Sequence, residues 1–314
     1  MNDHEAEWVH ATEIRERETA DGLWRAYRSV APTVESVRGD NTHGAAYISI
    51  RALEVLRDRA SEESDWEALV ECATDLLEAR PSMAALENRI NRTMSKASET
   101  ASAGALERSA KEGIDRAVEA DDRAATQAAE RIEGTVLTLS RSGTVETAIL
   151  RAQPERVVVL ESRPDREGVS VAAELAERLD VTVTLDASVA HCLAEIDTVL
   201  VGADTILADG SVVNKVGTKT AAVAAAREGV VVYVVAAADK ISASDEPILG
   251  SIEREAVTEN EEIRVTCPLF DHTPPELVTG VITERGIMDT AAINEQASEH
   301  ERRARWKEPN GSAK

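Results

Sequence analysis

The chain has 314 residues, about twice the ~150 residues of an average domain, so we expect two parts with a sizeable core. Lysine and arginine number 35 against 58 aspartate and glutamate residues, and the net charge of -23 argues against nonspecific nucleic-acid binding. Aromatic residues make up only 3% of the chain, which predicts a core of Ala, Val, Leu and Ile. An acidic surface over such a core is typical of a high-salt cytoplasm, with an ordinary acidic cytosolic protein as the alternative.

Cysteine usage and the N-terminal sequence define the expected compartment. Cys72, Cys192 and Cys267 are far apart and lack CxxC spacing, so neither a disulfide framework nor a zinc site is indicated. The N-terminus is charged from its first residues, and no run of about 18 apolar residues occurs. These features predict a cytoplasmic protein without a membrane partner, a metal or a cofactor.

The first part of the chain has the periodicity of helices. From residue 6 to about 125, apolar residues recur at helical spacing and β-branched runs are few, which predicts a helical bundle. Pro81 after Arg80 is expected to end one helix. Residues 95–131 are rich in Ala and Glu and predict either one long linking helix or two helices with a break near Gly104 or Gly113.

The pattern changes at Gly134 to short apolar, β-rich runs separated by helix-compatible segments. The runs cover residues 135–139, 156–161, 181–185, 197–203 and 230–237. Nearly continuous apolar strands that alternate with helices indicate a parallel sheet covered on both faces. We therefore predict an α/β protein with a helical domain over residues 1–130 and a Rossmann-like, doubly wound parallel-sheet domain over residues 131–314. Ligands bind such sheets at the carboxyl ends of strands, where the strand order reverses.

Polar residues follow several of the predicted strands. Ser140 to Thr144 can cradle a phosphate or cap a helix, and Arg163 can pair with a ligand or with Glu161. Asp204 follows the 197–203 strand, and an Asn-Lys pair stands ten residues later, so an acid, an amide and a cation meet at one rim. Lys240 adds a cation after the last of these strands. This rim is the predicted ligand site.

Other motifs narrow the function. Neither GxGxxG nor GxxxxGK[ST] occurs, which argues against dehydrogenases and P-loop enzymes. The run FDHTPPELVTGVITERG at 270–286 contains two prolines that are expected to direct a turn into a helix. We expect this run to be structural or to form part of a two-fold contact between copies.

Four motifs together resemble one protein superfamily: ESRP…EG at 161–168, GAD at 202–204, DGSVVNKVGT at 209–218 and the run at 270–286. It contains the alpha, beta and delta regulatory subunits of translation initiation factor 2B, methylthioribose-1-phosphate isomerase and archaeal ribose-1,5-bisphosphate isomerase. The resemblance implies a helical N-terminal domain, a Rossmann-like domain and assembly into dimers or larger oligomers.

The resemblance also implies roles for individual residues. In the isomerases a Cys and an Asp flank the sugar and move its protons; the Asp corresponds to Asp204, and Ser140 stands at the position of the Cys. A thiol ionises near pH 8.5, whereas an unassisted serine hydroxyl is far too weak an acid to act as a resting base. The phosphate loop corresponds to a run that starts at Arg38 and places Asp40 where a small uncharged residue is expected. The ligand-binding positions are thus predicted to be Arg38, Gly39, Arg80, Ser142, Asn214, Lys215 and Lys240.

Three functions follow from these residues. The first is a noncatalytic regulatory subunit that binds a pentose phosphate or a nucleotide and associates with itself or with translation initiation factor 2. The second is a ribose-1,5-bisphosphate isomerase in which Asp204 transfers the proton and a water held by Ser140 and Ser142 replaces the thiol. The third is a scaffold with a vestigial pocket. The ligand, the partner and the oligomer size stay open at this point.

Overall fold

The computed structural model describes residues 32–40 and 43–307. The chain forms two compact units. The first comprises Met1–Asp122, Asp239–Ala243 and Glu295–Lys314, and the second comprises Arg123–Ala238 and Ser244–Asn294. Residues 6–31 of the predicted helical region lie outside the described residues.

The first unit is helical, as its sequence periodicity predicts. Its helices in chain order are α1 (Val34–Gly39), α2 (Ala45–Glu62), α3 (Trp66–Ala79), α4 (Ala84–Ala97) and α5 (Ala103–Ala129), whose last residues belong to the second unit. Its core is aliphatic: Leu53, Leu56, Leu69, Leu86 and Ile90 are fully buried. Small and aliphatic side chains therefore fill the core of this unit, as the low aromatic content predicts.

The helix boundaries of this unit settle two expectations. Helix α3 ends at Ala79, next to the Arg80-Pro81 break that the sequence predicts. Residues 98–102 separate α4 from α5 just before Gly104, and Gly113 lies inside α5, so residues 95–131 form parts of two helices with a break near Gly104. Glycine at 113 permits close helix packing, since a Cβ there would lie only 3.1 Å from side-chain atoms of Leu53 and Thr93.

The second unit alternates strands and helices. Its elements are β1 (Thr135–Leu139), α6 (Gly143–Ala152), β2 (Arg156–Leu160), α7 (Glu167–Ala176), β3 (Val181–Thr184), α8 (Val189–Cys192), β4 (Thr198–Val201), β5 (Thr205–Ile206), β6 (Val212–Lys215), α9 (Thr218–Glu228), β7 (Val231–Val235), β8 (Phe270–Thr273), β9 (Gly280–Thr283) and β10 (Gly286–Met288). Helix α10 (Thr290–Ala304) follows; it starts in the second unit, and its residues from Glu295 onward belong to the first. The five predicted strands are confirmed as β1, β2, β3, β4 and β7.

The main sheet has the order β10-β9-β7-β4-β1-β2-β3. Its strands pair in parallel except β10, which is antiparallel to β9. From β1 the chain moves outward to β2 and β3, and it then crosses to β4 on the other side of β1 and continues to β7. The strand order therefore reverses between β1 and β4, and the predicted doubly wound architecture is confirmed.

The second unit also contains a small sheet. Asn214 and Lys215 lie on β6, in this separate antiparallel sheet of order β5-β6-β8. One local expectation is wrong. The 270–286 run was expected to lead into a helix; Pro275–Leu277 instead forms one 3₁₀ turn, and the strands β9 and β10 follow it. Val281, Ile282 and Thr283 are β-branched residues that favour a strand.

Within residues 32–40 and 43–307, none of the helices has both the length and the apolar character that crossing a bilayer requires.

Candidate functional site

The carboxyl ends of β1 and β4 flank the point at which the strand order of the main sheet reverses. Residues 140–142 follow β1, and residues 202–204 follow β4. The two strands are direct parallel neighbours, with Leu137 opposite Val199. The predicted positions Ser140, Ser142 and Asp204 therefore lie at the edge of the sheet where open α/β sheets bind ligands.

Ser142 and Gly202 show how closely the two strand ends approach. Ser142 occupies the N-cap position of α6, and its side chain makes no capping hydrogen bond. A Cβ at position 202 would lie 2.9 Å from Ser142 Oγ, so the glycine of the GAD motif makes room for this hydroxyl. Two residues later, the half-buried Asp204 donates its backbone N–H to Val213 O at 2.9 Å.

Ser140 has a fixed and unusual backbone conformation. Its φ of 60° lies in the left-handed region, which costs energy for a residue with a Cβ. The backbone N–H of Ser140 donates to Ser162 Oγ at 2.7 Å, and its hydroxyl donates to Glu167 Oε1 at 2.7 Å. The loop after β2 thus holds both the backbone and the side chain of Ser140.

That loop is itself held in place from two directions. The backbone N–H groups of Ser162 and Arg163 donate to the two carboxylate oxygens of Asp186 at 2.9 and 2.8 Å. A Cβ at Gly168 would lie 1.9 Å from Leu160 O, so α7 begins directly against strand β2. Glu167, the first residue of α7, is therefore positioned by main-chain packing.

The ion pair with Glu161, one of the two alternatives for Arg163, is formed by a different arginine. Arg166 Nε lies 3.4 Å from Glu161 Oε2, whereas Arg163 is exposed. Arg166 has a left-handed φ of 59° and occupies the N-cap position of α7. We conclude that the pair is structural.

Lys215 lies between two carboxylates. Its Nζ is 2.8 Å from Asp165 Oδ2 and 3.1 Å from Glu167 Oε1, and its side chain is only 9% exposed. Burial disfavours the charge, but the contacts with Asp165 and Glu167 outweigh it and raise the pKa of Lys215 above its usual value. Ser140, Glu167, Lys215 and Asp165 thus form one continuous run of contacts, which we call the polar chain.

The NKVGT motif positions α9. The Asn214 side-chain amide donates to Thr218 Oγ1 at 2.9 Å. The backbone N–H groups of Gly217 and Lys219 donate to Asp271 Oδ2 at 2.8 and 3.1 Å, so Asp271 on β8 caps this helix. Gly217 has a φ of 108°, a conformation that requires glycine. Asp271 therefore has a structural role, which agrees with one of the two alternatives for its segment.

Four predicted ligand residues belong to the first unit: Arg38, Gly39, Arg80 and Lys240. Arg80 Nε donates to Val37 O at 3.0 Å, and its Nη2 donates to Asp40 O, so Arg80 holds the end of α1. Arg38 is exposed and pairs with Glu35.

The carboxylate of Asp40 is bound by its neighbour His43. It accepts a hydrogen bond from His43 N at 3.0 Å, and His43 Nδ1 lies 2.8 Å from Oδ2. Lys240 ends a 3₁₀ turn and is half-buried. Asn41, the next residue of the predicted phosphate loop, lies outside the described residues. The ligand-binding roles of these residues stay predictions.

Sequence reasoning missed Glu167, Asp165 and Asp186. Glu167 is part of the ESRP…EG motif, but no chemical role was predicted for it. Strand pairing would have indicated one: β1 and β2 are parallel neighbours with Leu139 opposite Leu160. The loops after these strands must therefore lie side by side, and Ser140 must face the loop that carries Glu167.

A model of the initiation factor 2 subunit family matches residues 41–290. The chain belongs to this family. It is 30% identical over 295 residues to ribose 1,5-bisphosphate isomerase of Thermococcus kodakarensis, which covers 83% of this chain and 91% of the relative. It is 31% identical over 273 residues to a translation initiation factor eIF-2B subunit 2-like protein of Pyrococcus furiosus, with 82% and 96% covered.

Solved structures of the family have the same fold. A crystal structure of translation initiation factor eIF-2B from Pyrococcus horikoshii matches with a TM-score of 0.72 at 29% identity, covering 81% of this chain and 94% of that chain. Further archaeal relatives of the chain carry the isomerase name. The family resemblance read from the four motifs is therefore confirmed, and the family includes both isomerases and initiation factors.

Proposed function

We propose that this family member is a sugar-phosphate isomerase that converts ribose 1,5-bisphosphate from its aldose to its ketose form. The observation that carries the proposal is the placement of Ser140 and Asp204 after the neighbouring strands β1 and β4, on both sides of the strand-order reversal. These are the two positions to which the resemblance assigns proton transfer. The isomerase name of relatives at 30% identity supports this function over the noncatalytic one.

The residues at this site suit the chemistry. An aldose–ketose isomerisation removes a proton from one carbon and returns one to its neighbour, so it needs groups that exchange protons near neutral pH. Asp204 supplies a carboxylate, a group that commonly acts as a general acid or base in enzymes. The polar chain offers a hydroxyl, carboxylates and an ammonium group to sugar hydroxyls.

We place the phosphate at the start of α6. Ser142 and the first N–H groups of this helix offer an anion site of the usual kind. Lys215 already faces two carboxylates, so a phosphate there would have to compete with Asp165 and Glu167. We therefore expect Lys215 to contact sugar hydroxyls, within the ligand-binding role that the resemblance implies for it.

A noncatalytic regulatory subunit is the second candidate. The observation that favours it is the hydroxyl of Ser140 at the position where the resemblance implies a thiol. The initiation factor name of the Pyrococcus furiosus relative agrees with this alternative. Self-association, a role with translation initiation factor 2 and cytoplasmic localisation stay predictions.

Purified protein in molar KCl can be assayed with ribose 1,5-bisphosphate and with methylthioribose 1-phosphate. We expect turnover of the bisphosphate and a loss of about 100-fold or more in kcat for Asp204→Asn, the size of a removed acid–base group. Asp180→Asn is the matched control, because Asp180 is exposed and lies outside the polar chain and the loops that follow β1 and β4. Thermal stabilisation by the bisphosphate without turnover would favour the regulatory candidate, and neither effect would favour a scaffold.

A further inference from the structure

Ser140 poses a chemical problem for an isomerase, because an isolated serine hydroxyl does not give up its proton near neutral pH. In the structure this hydroxyl is not isolated. It donates to Glu167 Oε1 at 2.7 Å, and the same oxygen lies 3.1 Å from Lys215 Nζ. A carboxylate is ionised at neutral pH and can take the proton that serine alone cannot lose.

We propose that Ser140 and Glu167 act together as the proton acceptor that replaces the thiol of the isomerases. Ser140 Oγ forms a bond to the proton leaving the sugar while its own hydroxyl proton passes to Glu167 Oε1. The electron pair of the broken C–H bond stays on the sugar, and the reverse movement through Ser140 delivers the proton to the neighbouring carbon. This inference rests on the proposed isomerase function, and the step needs no oxidant, reductant or cofactor.

The charges around Glu167 fit such a transfer. While Glu167 is ionised, Lys215 compensates its charge at 3.1 Å. When Glu167 accepts the proton, Lys215 keeps Asp165 as its partner at 2.8 Å, so Lys215 is not left as an unpaired buried charge. The exposed fraction of the Asp165 side chain is 63%, which leaves its own charge hydrated when Glu167 is the partner of Lys215.

The geometry is also rigid enough for a relay. The left-handed backbone of Ser140 is held by Ser162 Oγ at 2.7 Å, and Gly168 packs α7 against Leu160. Glu167 Oε2 is buried and has no hydrogen-bond partner among the residues that the structure describes. The oxygen that accepts from Ser140 is therefore Oε1, and the second oxygen of the carboxylate accepts no hydrogen bond from these residues that would compete with the transfer.

A purely structural role of Glu167 makes a different prediction. If Glu167 only held the loop, Glu167→Gln would cost the same activity whichever residue stood at 140. If Glu167 accepts the serine proton, its loss should matter little once Ser140 is replaced by a cysteine that ionises by itself. A double-mutant cycle separates the two roles.

The cycle comprises the wild type, Glu167→Gln, Ser140→Cys and the double variant, each assayed for turnover of ribose 1,5-bisphosphate. We expect Glu167→Gln to lower kcat roughly 100-fold or more in the wild-type background and less than about 5-fold in the Ser140→Cys background. The acidic limb of the pH profile should move toward the thiol range, near pH 8.5, in the double variant. Urea unfolding checks that each variant folds. If Glu167→Gln does not fold, Glu167→Asp replaces it in the cycle, because the shorter side chain moves the carboxylate away from Ser140.

Each outcome decides the matter. Equal losses in both backgrounds would overturn the relay and leave the isomerase function standing. An inactive wild type with an active Ser140→Cys variant would show that the pocket fits the substrate and that the relay does not work. Inactivity of every variant, without stabilisation by the bisphosphate, would overturn the proposed function as well.

Discussion

Replacing Gly168 by alanine tests whether the close packing of α7 on β2 positions the site. The added Cβ would lie 1.9 Å from Leu160 O, roughly 1.5 Å inside an ordinary carbon–oxygen contact. Leu160 O is a backbone atom of a buried strand and cannot rotate away, so the start of α7 must move instead. Overpacking of this kind costs about 1–3 kcal/mol and occasionally more, and we expect about 3 kcal/mol for Gly168→Ala.

The matched control is Gly104→Ala in α5, where the nearest atom to a new Cβ is the mobile end of Arg108 at 3.5 Å. There the higher helix propensity of alanine should stabilise the protein by about 0.5–1 kcal/mol. Urea unfolding in molar KCl, followed by circular dichroism, measures both variants. A shift of α7 by roughly 1.5 Å would also break the Ser140–Glu167 hydrogen bond, so turnover should fall. Equal unfolding midpoints for wild type and Gly168→Ala would refute the packing argument.

Three further predictions concern charge. Asp239 is buried, which disfavours its ionised form, but Arg92 and Arg89 outweigh this and hold the pKa of Asp239 well below its usual value. The charge of Asp239 therefore stabilises the fold above the unfolded pKa of about 3.9, and this stabilisation is lost as the pH falls. We expect Asp239→Asn to lower the free energy of unfolding by about 3–5 kcal/mol at pH 7. Urea unfolding should show a smaller difference between the variant and the wild type near pH 3. Lys215→Met removes the positive charge next to Glu167 and should lower the free energy of unfolding by about 1–3 kcal/mol in the same assay. An unchanged urea midpoint would contradict the stabilising role of this ion pair. Lowering KCl from molar to about 0.01 M lengthens the Debye length to ~30 Å, so the charge of -23 should lower the melting temperature, and an unchanged temperature would contradict this expectation.

The strands of the main sheet could be predicted because their sequences carry one consistent signal. Residues 156–161 read RVVVLE, and β2 covers Arg156–Leu160, since three successive valines favour a strand and burial on both faces requires no polar alternation. The helix boundary at Arg80-Pro81 was equally clear, because proline removes a backbone donor. In both cases a local property of the residues decides the structure.

The C-terminal part was harder because its local signals conflict. Pro274 and Pro275 start a helical turn, but the next residues, from Val278 to Thr283, are mostly β-branched. The structure follows the β-branched residues, which pair β9 with β7 of the main sheet.

Only those site residues that directly follow a strand could be predicted from the sequence. Ser140 and Asp204 each follow a strand, so the rule for open sheets finds them without any knowledge of strand order. Glu167 is different, because its position beside Ser140 depends on β1 and β2 being neighbours and on the close approach at Gly168. A serine in place of a cysteine, considered alone, indicates a lost base. When the hydroxyl of this serine donates to a carboxylate, as Ser140 donates to Glu167, the two groups together can exchange a proton. Only the pairing of β1 with β2 distinguishes the second case from the first.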